Sequence, residues 1–328
     1  MSHSTEFSHN LLSWFDRHGR QNLPWQCSSD PYSVWVSEIM LQQTQVSTVI
    51  PYYKKFMALF PTLEDLANAS LDEILHLWTG LGYYARARNL HKTALLIINE
   101  LGGLFPSNQE DLMQLPGVGR STAGAIAAIS FHQQAAILDG NVKRVISRCF
   151  AVPGWPGKKS VMDRLWQLAE SNTPTERVAD YTQAIMDLGA TICKKNSPDC
   201  DLCPIQKSCL ALQTSTINQY PGKKPKTTRP TRNTYMLIIR NTQGAILLER
   251  RANDGLWGGL FSFPECQKDE LSSHLDELPG RTQQLSPFMH RFTHFDLLIQ
   301  PILIELKDPL RYSSILKLTG SANWVKIK

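Results

Sequence analysis

Four cysteines, Cys193, Cys200, Cys203 and Cys209, stand within 17 residues in the spacing C-x6-C-x2-C-x5-C. Four thiolates so close in the chain can wrap one metal centre, and sulfur donors suit either zinc or an iron–sulfur cluster. A second group is Leu115-Pro116-Gly117-Val118-Gly119, followed by Arg120, Ser121 and Thr122. Glycines there allow a tight turn and a close backbone approach, and the amides that open the next helix favour an anion such as a DNA phosphate. By itself the same stretch also makes an ordinary helix–turn–helix connection. Asp139 follows the apolar pair Ile137-Leu138 and precedes a helical run. Orphan amides and the helix dipole would hold its carboxylate ionised, able to meet a developing cation, although N-capping is the commoner job there. Glu38 flanks an apolar helical face. Partial burial would raise its pKa and make it a proton donor, whereas pattern alone favours a solvent-facing glutamate. Gln42, Gln43, Thr44 and Gln45 follow it, a polar run that can reach base edges or fill a gap in a duplex.

These groups need helices to place them. Tyr32, Trp35, Val36, Ile39 and Met40 form one apolar helical face, with Pro31 in the first turn and Asp30 as its N-cap. Further helical patterns run over 71–78, 85–101, 121–130, 141–150, 161–171 and 178–193. Turn-like separators at 79–82, 102–103, 115–119 and 152–157 divide them. The stretch 219–232 holds Lys223, Lys224, Lys226, Arg229 and Arg232 with three prolines and no acid, which reads as a linker, solvated or lying along phosphates. Beyond it, 235–240, 245–250, 297–306 and 324–327 read as strands and 270–278 as a helix, giving a smaller α+β domain.

The whole chain sets the bounds. Its 328 residues suit about two domains. With 42% hydrophobic and 19% charged residues it can fill real cores, which excludes disorder throughout. The 34 Lys and Arg against 29 Asp and Glu give a formal charge of +5, which permits a polyanionic partner without demanding one. No apolar run is long enough to span a bilayer, and the first ten residues lack the pattern of a secretory signal. Cys27, Cys149 and Cys266 are scattered, so the cysteine pattern is that of an intracellular metal site and not of a disulfide scaffold.

Together and in this order, the four groups resemble the helix–hairpin–helix DNA glycosylase superfamily with an iron–sulfur cluster. Longer stretches narrow the likeness to its adenine glycosylase (MutY) family: Leu23-Pro24-Trp25, Trp35 through Val46, Trp78 through Leu90, Ile137 through Val145, and Gly255 through Leu260 in a Nudix-like domain. The likeness covers nearly the whole chain. It implies a mainly α helix–hairpin–helix glycosylase domain over 1–215, a six-helix barrel with an iron–sulfur subdomain whose loop is 193–209. A basic linker at 216–232 and a smaller α+β Nudix-like domain at 233–328 would follow. The implied reaction is hydrolytic excision of adenine mispaired with 8-oxoguanine or G in duplex DNA, with the adenosine flipped into a pocket.

Residue roles follow from the same likeness. Glu38 matches the acid that protonates adenine N7 and later activates water, and Asp139 the carboxylate that stabilises the oxocarbenium-like sugar. Asn141 matches a residue that positions Asp139, and Gln183 one that contacts adenine. Gln43 and Tyr83 match residues that enter the duplex, with Leu81 beside them. Trp25 and Gln42 join the expected substrate and DNA contacts. Gly117, Val118 and Gly119 would grip phosphate, as could Lys194 and Lys195. Cys193, Cys200, Cys203 and Cys209 match the ligands of one [4Fe–4S] cluster. A monomer in the cytoplasm, associated with the nucleoid, is implied.

The chain departs from the family pattern in three places. Ser121 stands where bifunctional relatives carry a lysine, which favours a monofunctional glycosylase with weak or no lyase activity over an endonuclease III-like one. The 8-oxoguanine-reading triplet, usually Phe-Ser-His, is Phe292-Thr293-His294. The chain ends at Lys328, before a further helix usual in the family, which implies a shortened C-terminal domain. Glu265, Glu270 and Glu277 do not make the glutamate cluster that holds Mg²⁺ in a working Nudix hydrolase, so no nucleotide hydrolysis is expected. A non-catalytic DNA-binding scaffold is the rival from another class, and the presence of both Glu38 and Asp139 argues against it.

Overall fold

The computed structural model describes residues 3–225, 228–252, 255–278, 280–307 and 322–326. Two units divide the chain, Met1–Pro225 and Lys226–Lys328. The first is built from α1 (His3–His18), α2 (Pro31–Leu41), α3 (Val46–Leu59), α4 (Leu63–Asn68), α5 (Leu71–Leu77) and α6 (Ala85–Glu100). It continues with α7 (Gln109–Leu112), α8 (Arg120–Phe131), α9 (Gly140–Cys149), α10 (Lys159–Asn172), α11 (Val178–Asp187) and α12 (Leu210–Gln213).

Asp30 caps α2 by accepting from the Ser33 amide at 2.9 Å, with Pro31 at its first position. Helix α2 is buried nearly all round, because α3, α6 and α8 pack against it. Aromatic rings fill that first core: Trp35 meets Phe105 and Phe56 meets Trp78, centroids 5.4 and 6.3 Å apart. Each such buried side chain contributes roughly 1.5–3 kcal/mol. A second core gathers Phe7 and Leu11 of α1, Val145 and Ile146 of α9, Leu165 of α10 and Ile185 of α11. Helix α8 packs on both α2 and α11 and so joins the two. The predicted helical spans agree within one or two residues, except that the last run stops being α-helical at Asp187. A π-turn, Leu188–Ile192, replaces its end. Helices α1 and α3 went unmarked by the sequence pattern; Phe7, Leu11, Trp14 and Val49, Tyr53, Phe56 are the residues they bury.

The basic segment after α12 is divided. Tyr220 accepts from Arg148 Nε at 3.1 Å. The Gly222 amide donates to Gly154 O at 3.1 Å, where a Cβ would lie 2.4 Å from that oxygen. Lys224 sits 5.7 Å from the Trp155 ring. This half of the predicted linker therefore packs on the first unit, and Thr231 and Arg232 already lie in a strand.

The second unit is one sheet: β1 (Thr231–Arg240), β2 (Ile246–Arg250), β3 (Phe261–Ser262), β4 (Glu265–Cys266), β5 (Gly280–Gln284), β6 (Phe288–Arg291), β7 (Asp296–Leu306) and β8 (Ala322–Val325). Strands β1 and β7 run parallel at its centre, from Thr231 opposite Asp296 to Arg240 opposite Glu305. The order is β3-β2-β1-β7-β5, with β4 on β1, β6 on β7 and β8 on β2. Helix α13 (Lys268–Glu277) packs on β1. The last residue of the predicted strand 324–327 lies outside the described residues.

Candidate active site

The Glu38 side chain leaves α2 between buried Ser37 and Ile39 and is itself half-buried. Burial, and then the nearby Asp139 carboxylate, push its pKa up to about 8. Asp139 is the N-cap of α9, and its Oδ1 accepts from the Val142 amide at 2.8 Å. Burial raises its pKa as well. The capping amides of Val142 and Asn141 and the charges of Arg144 and Lys143 pull the other way without winning. The expected cap on Asp139 is thus present, and burial works against it. No group pulls the Glu38 pKa down, whereas four act to lower that of Asp139.

Helix α8 fixes the segment that delivers Asp139. The Ser121 hydroxyl accepts from the Leu138 amide at 3.0 Å. Gly124 lets that segment close in, since a Cβ there would stand 2.3 Å from Ala136 O. Ser121 is half-buried and tied to the segment that leads into Asp139. Asn141 is held by Arg144, whose Nη2 donates to Asn141 Oδ1 at 2.8 Å and to Gly189 O at 2.6 Å. Gly189 belongs to the π-turn, and a Cβ on it would lie 2.6 Å from Asn141 Cβ. Gln183 on α11 accepts from Gln26 Nε2 at 3.4 Å.

The remaining expected contacts separate into exposed and buried residues. Gln43 and Tyr83 are exposed, both with left-handed backbone, φ 58° and 51°. Leu81 is 6% exposed and Trp25 5%, the latter edge-on to Tyr53 at 5.4 Å. Both are packed behind the surface in this structure. Gln42 Nε2 donates to Thr122 Oγ1 at 3.2 Å. At the hairpin, Gly117 has φ 79° and sits 2.9 Å, measured from a built Cβ, from Asn89 Cβ. Val118 is buried and its amide donates to Leu115 O at 3.1 Å, so the exposed Gly117 and Gly119 are what the hairpin offers an anion.

All four clustered cysteines line one cavity with an empty volume of about 370 Å³, part of it open. Its other walls are mainly apolar, including Val145, Leu188, Ile205 and Ile217. Burial pushes the Cys203 thiol up to about 12 and raises Cys200 and Cys209. Among the described residues no three His, Cys, Asp or Glu form a group that could hold a single metal ion. Helix α9 joins this cavity to the carboxylates. Its Arg144 donates to Cys193 O at 2.6 Å, and its buried Arg148 donates to Cys193 Sγ at 3.4 Å and Lys194 O at 2.7 Å. Both arginines escaped the sequence reading. Their i, i+4 spacing on the helix that starts at Asp139 was visible, but the partner loop was not.

In the second unit the Phe292 amide donates to Phe295 O at 2.9 Å, closing a turn. Phe292 packs among Trp257, His290 and Phe295, and Thr293 and His294 are exposed at the tip. Glu265 is paired with Arg251 at 2.5 Å, and Glu270 accepts from the Gln267 amide at its helix start.

Residues 36–171 match the family profile of the HhH-GPD superfamily base excision DNA repair protein, and residues 235–328 that of the NUDIX domain. The adenine DNA glycosylase of Buchnera aphidicola subsp. Acyrthosiphon pisum is 41% identical over 304 residues, 92% of this chain and 87% of that one. The adenine DNA glycosylase of Mus musculus is 38% identical, covering 92% of this chain and 71% of its own. Among solved structures, a thermostable thymine-DNA glycosylase superposes with TM-score 0.57 at 30% identity, over 64% of this chain and 97% of that one. No described helix is long and apolar enough to cross a membrane.

Proposed function

Since the chain belongs to the adenine DNA glycosylases, DNA-binding enzymes of base excision repair, we propose that it excises adenine paired with 8-oxoguanine or G, with Glu38 and Asp139 as the working pair. The observation that carries this is their asymmetry: one carboxyl with every influence favouring its protonated form, beside another at a helix N-terminus. Glu38 donates its proton to adenine N7. The N-glycosidic bond then breaks with its electron pair leaving on the base. Asp139 stabilises the cationic sugar, and Glu38, now a carboxylate, takes a proton from the attacking water. Asn141 keeps Asp139 aligned, and Gln183 meets the adenine. Gln43 and Tyr83 enter the duplex to offset the cost of flipping, a few kcal/mol. Gly117 and Gly119 hold phosphate, supported by their exposure at the start of α8. Thr293 and His294 read the 8-oxoguanine, supported by their exposure on a turn anchored by Phe292.

Four sulfurs around one largely apolar cavity suit a body larger than one ion, and Cys193, Cys200, Cys203 and Cys209 would hold one [4Fe–4S] cluster. Bound there, it would fix the 193–209 loop and offset the thiolates with positive charge. Lys194 and Lys195 would then be presented to phosphates. Glu38→Gln tests the pair. The variant is expected to bind a duplex with A opposite 8-oxoguanine within about twofold of wild type and to lose excision by about 10²–10⁴-fold. Excision at the wild-type rate would refute the assignment of the acid.

A further inference from the structure

Arg86, near the start of α6, is 8% exposed, and no carboxylate pairs with it among the described residues. A cation so placed must recover its lost hydration from dipoles. Nη1 donates to Ile39 O at 3.0 Å, Met40 O at 2.8 Å and Gln42 O at 2.7 Å. These are carbonyls at the end of α2, where orphan acceptors and the negative dipole end suit a cation. Nη2 donates to Thr44 Oγ1 at 3.2 Å, Leu81 O at 3.2 Å and Gly82 O at 3.1 Å. The Trp78 and Tyr83 rings flank the guanidinium at 5.4 and 5.6 Å. Only Nε lacks a partner.

One side chain thus joins two loops that are 40 residues apart in the chain. The residue after each outer carbonyl it binds, Gln43 after Gln42 and Tyr83 after Gly82, is exposed and left-handed. A non-glycine residue keeps such a backbone only where its surroundings impose it. We propose that Arg86 is a positioning residue that holds Gln43 and Tyr83 at a fixed spacing, so that both enter the duplex as one rigid wedge. This rests on the reading of Gln43 and Tyr83 as duplex-entering residues. Lysine would not serve, because the contacts need two donor groups on one planar fork and an ammonium is a single point.

A double-mutant cycle tests this, read as the single-turnover rate of adenine excision from a duplex with A opposite G. Arg86→Lys is expected to slow wild type about tenfold, equivalent to about 1.4 kcal/mol, and the Tyr83→Ala protein by less than about twofold. Equal penalties in both backgrounds, or no penalty in wild type, would overturn the proposal, since a merely structural role would slow both alike. If Tyr83→Ala alone excised at the wild-type rate, the duplex-entry reading itself would fail and the proposal with it. Should Arg86→Lys fail to fold by circular dichroism, Thr44→Val removes a single Nη2 partner. It is expected to cost roughly threefold in wild type and nothing in the Tyr83→Ala background, and the reverse pattern overturns the proposal equally.

Discussion

Glu38 carries its proton to about pH 8 in the folded chain, against an ordinary value of 4.5, because burial and Asp139 both disfavour its charge. The folded state therefore binds this proton more tightly than the unfolded one does. Its contribution to stability is whole below about 4.5 and is lost as pH rises toward about 8. Glu38→Gln, neutral throughout, should gain in melting temperature relative to wild type over that range, and a difference that stays constant with pH would contradict the burial argument. Excision itself should decline as pH rises through about 8, where the acid empties. The sequence alone left Glu38 open to a solvent-facing reading, since its local pattern puts it at the margin of the apolar face. What makes it a proton donor is tertiary burial and then Asp139, a hundred residues away, and no spacing rule reports either. For Asp139 the capping role was legible from Ile137-Leu138 before it and the helix after it. The direction of its pKa was not, because burial is a tertiary property.

Helix α9 is the element on which most of the site depends. Its first turn holds Asp139 and Asn141, and its later turns hold Arg144 and Arg148 against the cysteine loop. The π-turn after α11 touches this start through Gly189. Gly189→Ala would push Asn141, and is expected to slow excision by about tenfold to a hundredfold while leaving duplex affinity near wild type. A loss confined to affinity would contradict that. At the hairpin, Gly117→Ala meets both a positive φ and Asn89. It should weaken binding to every duplex alike, since a phosphate contact carries no sequence information. A loss specific to mispaired duplexes would count against a phosphate role. Capped helices such as α2 were legible to within a residue or two. The π-turn was not, since the apolar spacing of 178–193 continues smoothly through it.

Across the whole molecule, the change of texture after the basic segment marked a second unit, and 235–240 and 297–306 read as strands. Their parallel pairing was hidden, because more than fifty residues separate them and the sequence pattern of a strand says nothing about its neighbour. The two units would divide the task, the first removing adenine and the second reading the base opposite. Purified protein should carry iron and acid-labile sulfide in equal amounts, about four of each per chain; one zinc per chain and no sulfide would contradict the cluster. Thr293→Ala should reduce the preference for 8-oxoguanine over G opposite adenine and leave excision opposite G near wild type. The most direct test is the single-turnover excision rate on three duplexes, with adenine opposite 8-oxoguanine, opposite G and opposite T. The expected order is fastest opposite 8-oxoguanine, slower opposite G and nearly inert opposite T. Excision opposite T as fast as opposite 8-oxoguanine, or no adenine release from any of the three, would contradict it.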